Sequence, residues 1–367
     1  MSDGFVIDGL VLDEASRAAL GRLGITAPTA IQGAAAPVLL AGRDAVLQSG
    51  TGTGKTLAYV LPLLQRIRAD PTFMVVVLAP SPELALQILR VVDLVKGPGI
   101  GSCALVGGGN TERQKEKLKQ HPRVIVGTPG RVFEMIFARK LKTAGISALV
   151  LDETDALLSG KNEQELREIA SRPEFTPQII FASATIGPRA AALATDLMEP
   201  GFARVALGAG PLSPTITHHF MTFEPQRKEV WLLKLLEKAK AERAIVFVSK
   251  LSNVAHLYRF LNERNVPSVA ISRERSKRDR EESMRFLQRG TARVLIATDT
   301  AARGLDVPGL DWVIHYDVAR DEETYVHRAG RTGRNGRAGT SVMIVAPNER
   351  FLLKRYSEGL GITFTAF

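Results

Sequence analysis

Residues 45–57 read Ala-Val-Leu-Gln-Ser-Gly-Thr-Gly-Thr-Gly-Lys-Thr-Leu, and this stretch decides the fold. The apolar run Ala45–Leu47 predicts a buried strand, the glycines up to Gly54 a tight loop, and the run from Leu57 a helix. Closely spaced glycines let the backbone curl until its N–H groups point inward at phosphate oxygens, and the following helix adds its positive end. Thr51, Gly52, Thr53 and Gly54 would form that cradle, Lys55 would reach the β- and γ-phosphates, and the Thr56 hydroxyl would bind Mg²⁺. The strict pattern has glycine six residues before the lysine, where this chain has Ser49. Such a turn can be purely structural, but Gly54-Lys55-Thr56 between strand and helix favours a nucleotide.

Working outward, short β-branched runs alternate with helical segments along the whole chain. The first half offers strands at Ala45–Leu47, Met74–Leu78, Val124–Val126, Ala148–Leu151 and Ile179–Ala182. The second offers Ala244–Val248, Val269–Ile271, Arg293–Ala297, Trp312–His315 and Ser341–Val345. Continuous apolar runs suit strands buried on both faces, so the class is α/β with parallel sheets covered on both sides. Two sheets of about five strands are expected rather than one of ten. Gly and Pro crowd together in Leu207–Pro214, which predicts domains over 1–207 and 218–367 joined by a linker at 208–217. No short-period repeat is visible. Residues 340–367 predict one last strand and a helix over Arg350–Glu358.

With 367 residues the chain has room for two cores, and its 45% apolar and 23% charged residues describe a globular protein. A net charge of +10 fits either a polyanionic partner or a surface that only keeps the protein soluble. The lone Cys103 excludes an internal disulfide framework and fits a reducing, cytoplasmic setting. Neither a secretory signal nor an apolar stretch long enough to cross a bilayer is present, so no membrane partner is expected.

Asp152-Glu153-Thr154-Asp155 directly follows the predicted strand Ala148–Leu151. Carboxylates there sit where parallel sheets place ligands. Asp152 suits Mg²⁺, partly through water, and Glu153 has the reach to orient or deprotonate an attacking water. Acidic residues after a strand are also common helix caps; the phosphate loop tips the reading.

With these residues in view, the chain resembles the DEAD-box RNA helicases over nearly its whole length. Thr29–Gln32 with upstream Gly24 resembles the family's adenine-reading element, in which Gln32 would bond the base. Pro80–Gln87, Gly107-Gly108 and Thr128-Pro129-Gly130-Arg131 resemble its first-lobe RNA-binding segments. Asp152–Asp155 stands for the name-giving tetrapeptide, and Ser183-Ala184-Thr185 for the element coupling hydrolysis to strand separation. Thr298-Asp299 with Ala302–Asp306, and His327–Arg334, match the second-lobe motifs. The resemblance implies two RecA-like domains in tandem and an RNA-dependent ATPase using ATP and Mg²⁺. It implies that Arg331 and Arg334 act as arginine fingers, that Asp306 lies near the ribose, and that Thr298 and Arg303 lie near RNA. It also implies that Ser183 and Thr185 hydrogen-bond Asp155. The partner would be single-stranded or short duplex RNA, gripped mainly through backbone and 2′-OH, since aromatics make up only 6% of the chain. A monomer is expected.

Several positions depart from the family pattern. The adenine-stacking aromatic falls at Ile7, with Phe5 two residues away. Pro82 replaces an arginine, which would remove about one unit of salt slope. Thr154 replaces alanine and would add a hydroxyl near Ser183. Ser272-Arg273 and Lys277 replace His-Gly and Gln, within the charge cluster Arg273–Arg280. None touches Lys55, Thr56, Asp152, Glu153, Arg331 or Arg334, so an active ATPase with an atypical RNA grip is expected. The other readings are an ATP-gated RNA clamp that does not unwind, a DNA helicase of the same superfamily, and, least supported, a metabolic phosphate-loop kinase.

Overall fold

Runs such as Val75–Leu78 and Ala148–Asp152 are apolar at nearly every position because both faces of their sheet are covered. Successive side chains of a strand alternate between faces. Val75 and Val77 therefore join one core with Ala148 and Val150, while Val76 and Leu78 join the opposite core with Leu149 and Leu151. The second sheet repeats this, with Ala244, Val246 and Val248 on one side and Ile245 and Phe247 on the other. Truncating one such residue, Leu149→Ala for example, would cost about 2–5 kcal/mol.

The computed structural model describes residues 5–50, 52–158, 161–172, 174–207, 212–223, 228–239, 241–272, 274, 276–302, 309–333 and 337–367, the side chains of Lys277 and Thr300 excepted. Thr51, Arg303, Asp306, Arg334 and part of the expected linker lie outside these residues. The chain divides into two compact units that meet in sequence at Ala209 and Gly210.

The first unit holds β1 (Ala45–Gln48), β2 (Val75–Leu78), β3 (Ser102–Leu105), β4 (Val124–Gly127), β5 (Ala148–Asp152), β6 (Gln178–Ser183) and β7 (Ala203–Ala206). The second holds β8 (Ile216–Thr222), β9 (Ala244–Val248), β10 (Ser268–Ile271), β11 (Val294–Thr298), β12 (Trp312–His315), β13 (Gly339–Val345) and β14 (Phe364–Ala366). Each sheet is parallel and has seven strands, ordered β3-β4-β2-β5-β6-β1-β7 and β10-β11-β9-β12-β13-β8-β14. The expected count of about five was low in both. β3 contains Ser-Cys-Ala, β8 carries two histidines, and β7 and β14 are short edge strands, so none reads as a continuous apolar run. The final helix spans Phe351–Leu360, and β14 follows it where no further strand was expected.

Candidate functional site

Parallel sheets place ligands outside the carboxyl ends of their strands. In the first unit that edge carries two groups of residues, which the strand order sets side by side.

One group surrounds β1, β5 and β6. β1 leads through the glycine loop into the helix Lys55–Ala69, whose N-cap Gly54 has φ +90°. A Cβ there would fall 2.4 Å from Gln32 Nε2, so only glycine fits. Gln32 donates to the Gly54 carbonyl at 3.2 Å and accepts the Thr29 N–H at 2.9 Å, fixing the loop's end. Lys55 Nζ donates to the Ser49 carbonyl at 2.5 Å, and the Ser49 and Thr53 hydroxyls lie 2.7 Å apart.

Asp152 ends β5 and is only 5% exposed. Its carboxyl is pushed up to about 6, first by burial and then by the Glu153 charge; hydrogen bonding from Tyr59 and the Lys55 charge oppose this. Glu153 has φ +51°, a left-handed conformation that is strained for a side chain with a Cβ. That kink turns the chain into the short helix Thr154–Leu157. Glu153 Oε2 is buried and, among the described residues, has no hydrogen-bond partner. A buried polar oxygen without a partner is costly unless a water or ion reaches it. The carboxylates of Asp152 and Glu153, the latter with its orphaned oxygen, and the Thr56 hydroxyl are the all-oxygen donors that Mg²⁺ with its waters takes. These residues fit the cation.

Asp155 receives hydrogen bonds from the hydroxyls of Ser183 at 3.0 Å and Thr185 at 2.6 Å, and from the Gly187 N–H at 3.1 Å. Thr154 behaves otherwise than expected. It is fully buried and donates to the Leu151 carbonyl at 2.9 Å, so its hydroxyl serves the local helix start and not Ser183. Ile7 is 7% exposed and bridges to Leu10, while Phe5 packs partly buried against the core.

The other group surrounds the adjacent strands β3, β4 and β2. Each ends at the start of a helix: Thr111–Leu118, Pro129–Phe137 and Pro82–Val95. Three positive helix ends thus share one stretch of edge, suited to successive phosphates of a polyanion. Asn110 and Ser81 cap two of them, while Thr128 makes no side-chain cap bond. Pro82 occupies the first helical position, where its missing N–H costs nothing. Pro80 lies just ahead of that cap, and its carbonyl accepts from Asn162 at 3.4 Å. A Cβ on Gly107 or Gly108 would meet nothing within 4 Å, so this loop presents bare backbone. Arg131 bonds the Thr111 hydroxyl at 2.7 Å and pairs with Glu134 at 3.0 Å. A Cβ on Gly130 would fall 2.8 Å from Glu165 Oε2, so an acidic group that the sequence did not flag lies against this helix start.

In the second unit Thr298 ends β11, half-buried, and Ser272 follows β10, buried. Arg331 is 7% exposed, and its Nε donates to the His327 carbonyl at 3.2 Å. One turn earlier on the same stretch, Arg328 is 2% exposed. Arg328 grips Asp299 through two bonds of 2.5 and 2.8 Å and donates to the Asp317 carbonyl at 2.5 Å. Sequence reasoning quoted Arg328 and Asp299 within motifs but did not pair them, and it missed Tyr59, Lys228 and Asp317 altogether. A charged residue inside an otherwise packed helix was the available signal for Arg328.

A family model described as DEAD/DEAH box helicase matches residues 29–193, and one described as helicase conserved C-terminal domain matches residues 227–336. The chain is 38% identical over 342 residues to the probable ATP-dependent RNA helicase YfmL of Bacillus subtilis, covering 92% of this chain and 90% of that one. It is 38% identical over 340 residues to the DEAD-box ATP-dependent RNA helicase CshC of Bacillus cereus, covering 92% and 87%. Among solved structures, S. cerevisiae Dbp5 bound to RNA and ADP BeF3 superposes with a TM-score of 0.85 at 27% identity, covering 98% of this chain and 95% of that one.

Proposed function

The chain belongs to the DEAD-box family of ATP-dependent RNA helicases, and on that premise we propose that it couples RNA-stimulated ATP hydrolysis to local RNA unwinding or remodelling of RNA–protein complexes. One observation carries the reading: a single sheet edge joins the phosphate loop and acidic strand end of β1 and β5 to the three helix starts of β2, β3 and β4. Nucleotide and polyanion are thereby addressed by one rigid frame.

Lys55 leaves the Ser49 carbonyl to meet the nucleotide phosphates, with Gly52, Thr53, Gly54 and Thr51 cradling them and Gln32 reading the base. Thr56 and Asp152 would hold Mg²⁺, which when bound supplies charge neutralisation at the β- and γ-phosphates. Glu153 orients the attacking water and takes its proton, a role its strained backbone and unpartnered oxygen support. Arg331 and Arg334 are assigned to the charge that develops on the γ-phosphate, and Asp306 to the ribose. Pro80, Gly107, Gly108, Thr128, Pro129, Gly130 and Arg131, with Thr298 and Arg303, are assigned to RNA, mostly its backbone. Asp155, Ser183 and Thr185 form the coupling element. We take 1–207 and 218–367 as the two functional domains. The protein is placed in the cytoplasm as a monomer, a setting that suits a buried Cys103 whose thiol desolvation pushes up to about 12. Among the described residues no helix is long and apolar enough to cross a membrane.

The test is the steady-state ATPase rate without nucleic acid, with single-stranded RNA and with matched single-stranded DNA, beside a Glu153→Gln control. Stimulation by RNA alone, lost in the control, is expected. Equal stimulation by DNA would move the chain to the DNA-helicase reading. A rate that ignores nucleic acid would end both. Displacement of a duplex of about ten base pairs then separates a helicase from a clamp.

A further inference from the structure

Tyr59 lies one turn along the helix that opens with Lys55 and Thr56, and none of its surface is exposed. Within the run Leu57–Leu61 it reads as a core residue, and its ring does belong to the core on one face of the first sheet. Burial of the ring does not account for the hydroxyl, which needs a partner once out of water. It finds one: the phenol donates to Asp152 Oδ2 at 2.8 Å.

The other oxygen of the same carboxylate, Oδ1, accepts the Glu153 N–H at 2.9 Å. Each oxygen of an ionised carboxylate has two lone pairs, so each still keeps one for a further ligand. An aspartate carboxyl otherwise turns freely about its last torsion. With a donor on each oxygen, its plane is set.

We propose that Tyr59 is a positioning residue of the ATPase centre: its hydroxyl bonds Asp152 and holds that carboxylate in the orientation in which it takes Mg²⁺ with the nucleotide. The assignment rests on the ATPase reading above and adds to it a residue outside every motif. Partners that orient metal ligands typically change metal affinity 10- to 100-fold when removed.

The experiment uses the full chain and a fluorescent ADP carrying a methylanthraniloyl group, titrated with Mg²⁺ and also bound in EDTA, with thermal unfolding in parallel. Tyr59→Phe keeps the ring and its packing and removes only the hydroxyl. The Mg²⁺ midpoint for nucleotide binding should rise about tenfold, while affinity in EDTA stays at the native value. In an Asp152→Asn background the same substitution should shift nothing further. An unshifted midpoint in folded Tyr59→Phe protein overturns the assignment, and so does a shift of equal size in the Asp152→Asn background. Native protein that binds no labelled ADP at any Mg²⁺ concentration would sink the ATPase reading and this assignment together. An unshifted midpoint beside normal native binding sinks the assignment alone.

Discussion

Two places in this molecule set a lysine at the start of a helix near an aspartate at the end of a sheet's central strand. Counting β8–β14 as a second β1–β7, the two sheets have the same strand order. Lys55 opens the helix after β1, and Lys228 opens the helix after β8. Asp152 ends β5, and Asp317 follows β12. In the first unit the lysine turns to its own loop, on the Ser49 carbonyl, while Tyr59 holds the aspartate. In the second unit the ion pair is closed. Lys228 Nζ lies 3.4 Å from Asp317 Oδ1 and within 4.9 and 4.7 Å of the ring centroids of Phe223 and Tyr316. The Asp317 carboxylate also accepts the Ser249 N–H at 2.7 Å and the Asn253 amide at 3.2 Å. In the first unit this frame places a glycine loop ahead of its lysine, where the backbone turns inward. In the second it yields an ion pair with aromatic rings beside the cation.

The sharpest way to break this comparison is to remove each lysine in turn. Lys55→Ala should cut ATP turnover by about a hundredfold to a thousandfold, as loss of a charge donor at developing phosphate charge does, with little change in urea stability. Lys228→Met should leave turnover within about threefold and instead cost about 1 kcal/mol of folding stability, because it leaves a half-buried carboxylate with only the neutral donors of Ser249 and Asn253. Equal loss of turnover in both variants would show that the second pair is not merely structural.

Acid should separate the units next. Burial, and secondarily the charge of His219, lowers His218 to about 4, and its ring nitrogen lies 2.7 Å from the Tyr325 hydroxyl. Burial holds His315 well below the usual histidine range too. Both are depressed in the folded state, so their contribution is full above pH 6.5 and is lost as pH falls from there toward 4. For His218 alone the loss is about 2 kcal/mol at pH 5. The chain has two tryptophans, Trp231 and Trp312, both in the second unit, so urea unfolding followed by tryptophan fluorescence reads that unit directly. A midpoint unchanged between pH 7.5 and pH 5 would contradict the buried neutral imidazoles.

The smallest expected effect sharpens the polyanion half of the first unit's edge. Pro82→Arg adds a cation at the first turn of the helix after β2 and should steepen the salt dependence of RNA binding by about one unit, tightening it a few-fold at low salt. Binding measured across a salt series gives that slope, and an unchanged slope would place phosphates away from this helix start.

The strands that read clearly from sequence were those with continuous apolar runs, such as Ala148–Asp152 and Ala244–Val248, since burial on both faces leaves no polar position to confuse the pattern. β8 hid because His218 and His219 fall inside it, and their place is explained by distant residues, among them Tyr325 and Thr365, which accept from or donate to them. Thr154 was misjudged for the opposite reason: a backbone carbonyl three residues back captured its hydroxyl.

By itself the sequence determined the chemistry offered at the strand ends: a glycine loop into Lys55-Thr56, an acidic pair after β5, and hydroxyls at Ser183 and Thr185. These are local, because loop curvature and strand termination depend on a few neighbouring residues. Only the tertiary structure decided that Lys228 meets Asp317 beside two aromatic rings, and that Tyr59 braces Asp152. Those outcomes rest on pairs 89 and 93 residues apart, brought into contact by strand order, and no short-range pattern encodes that order.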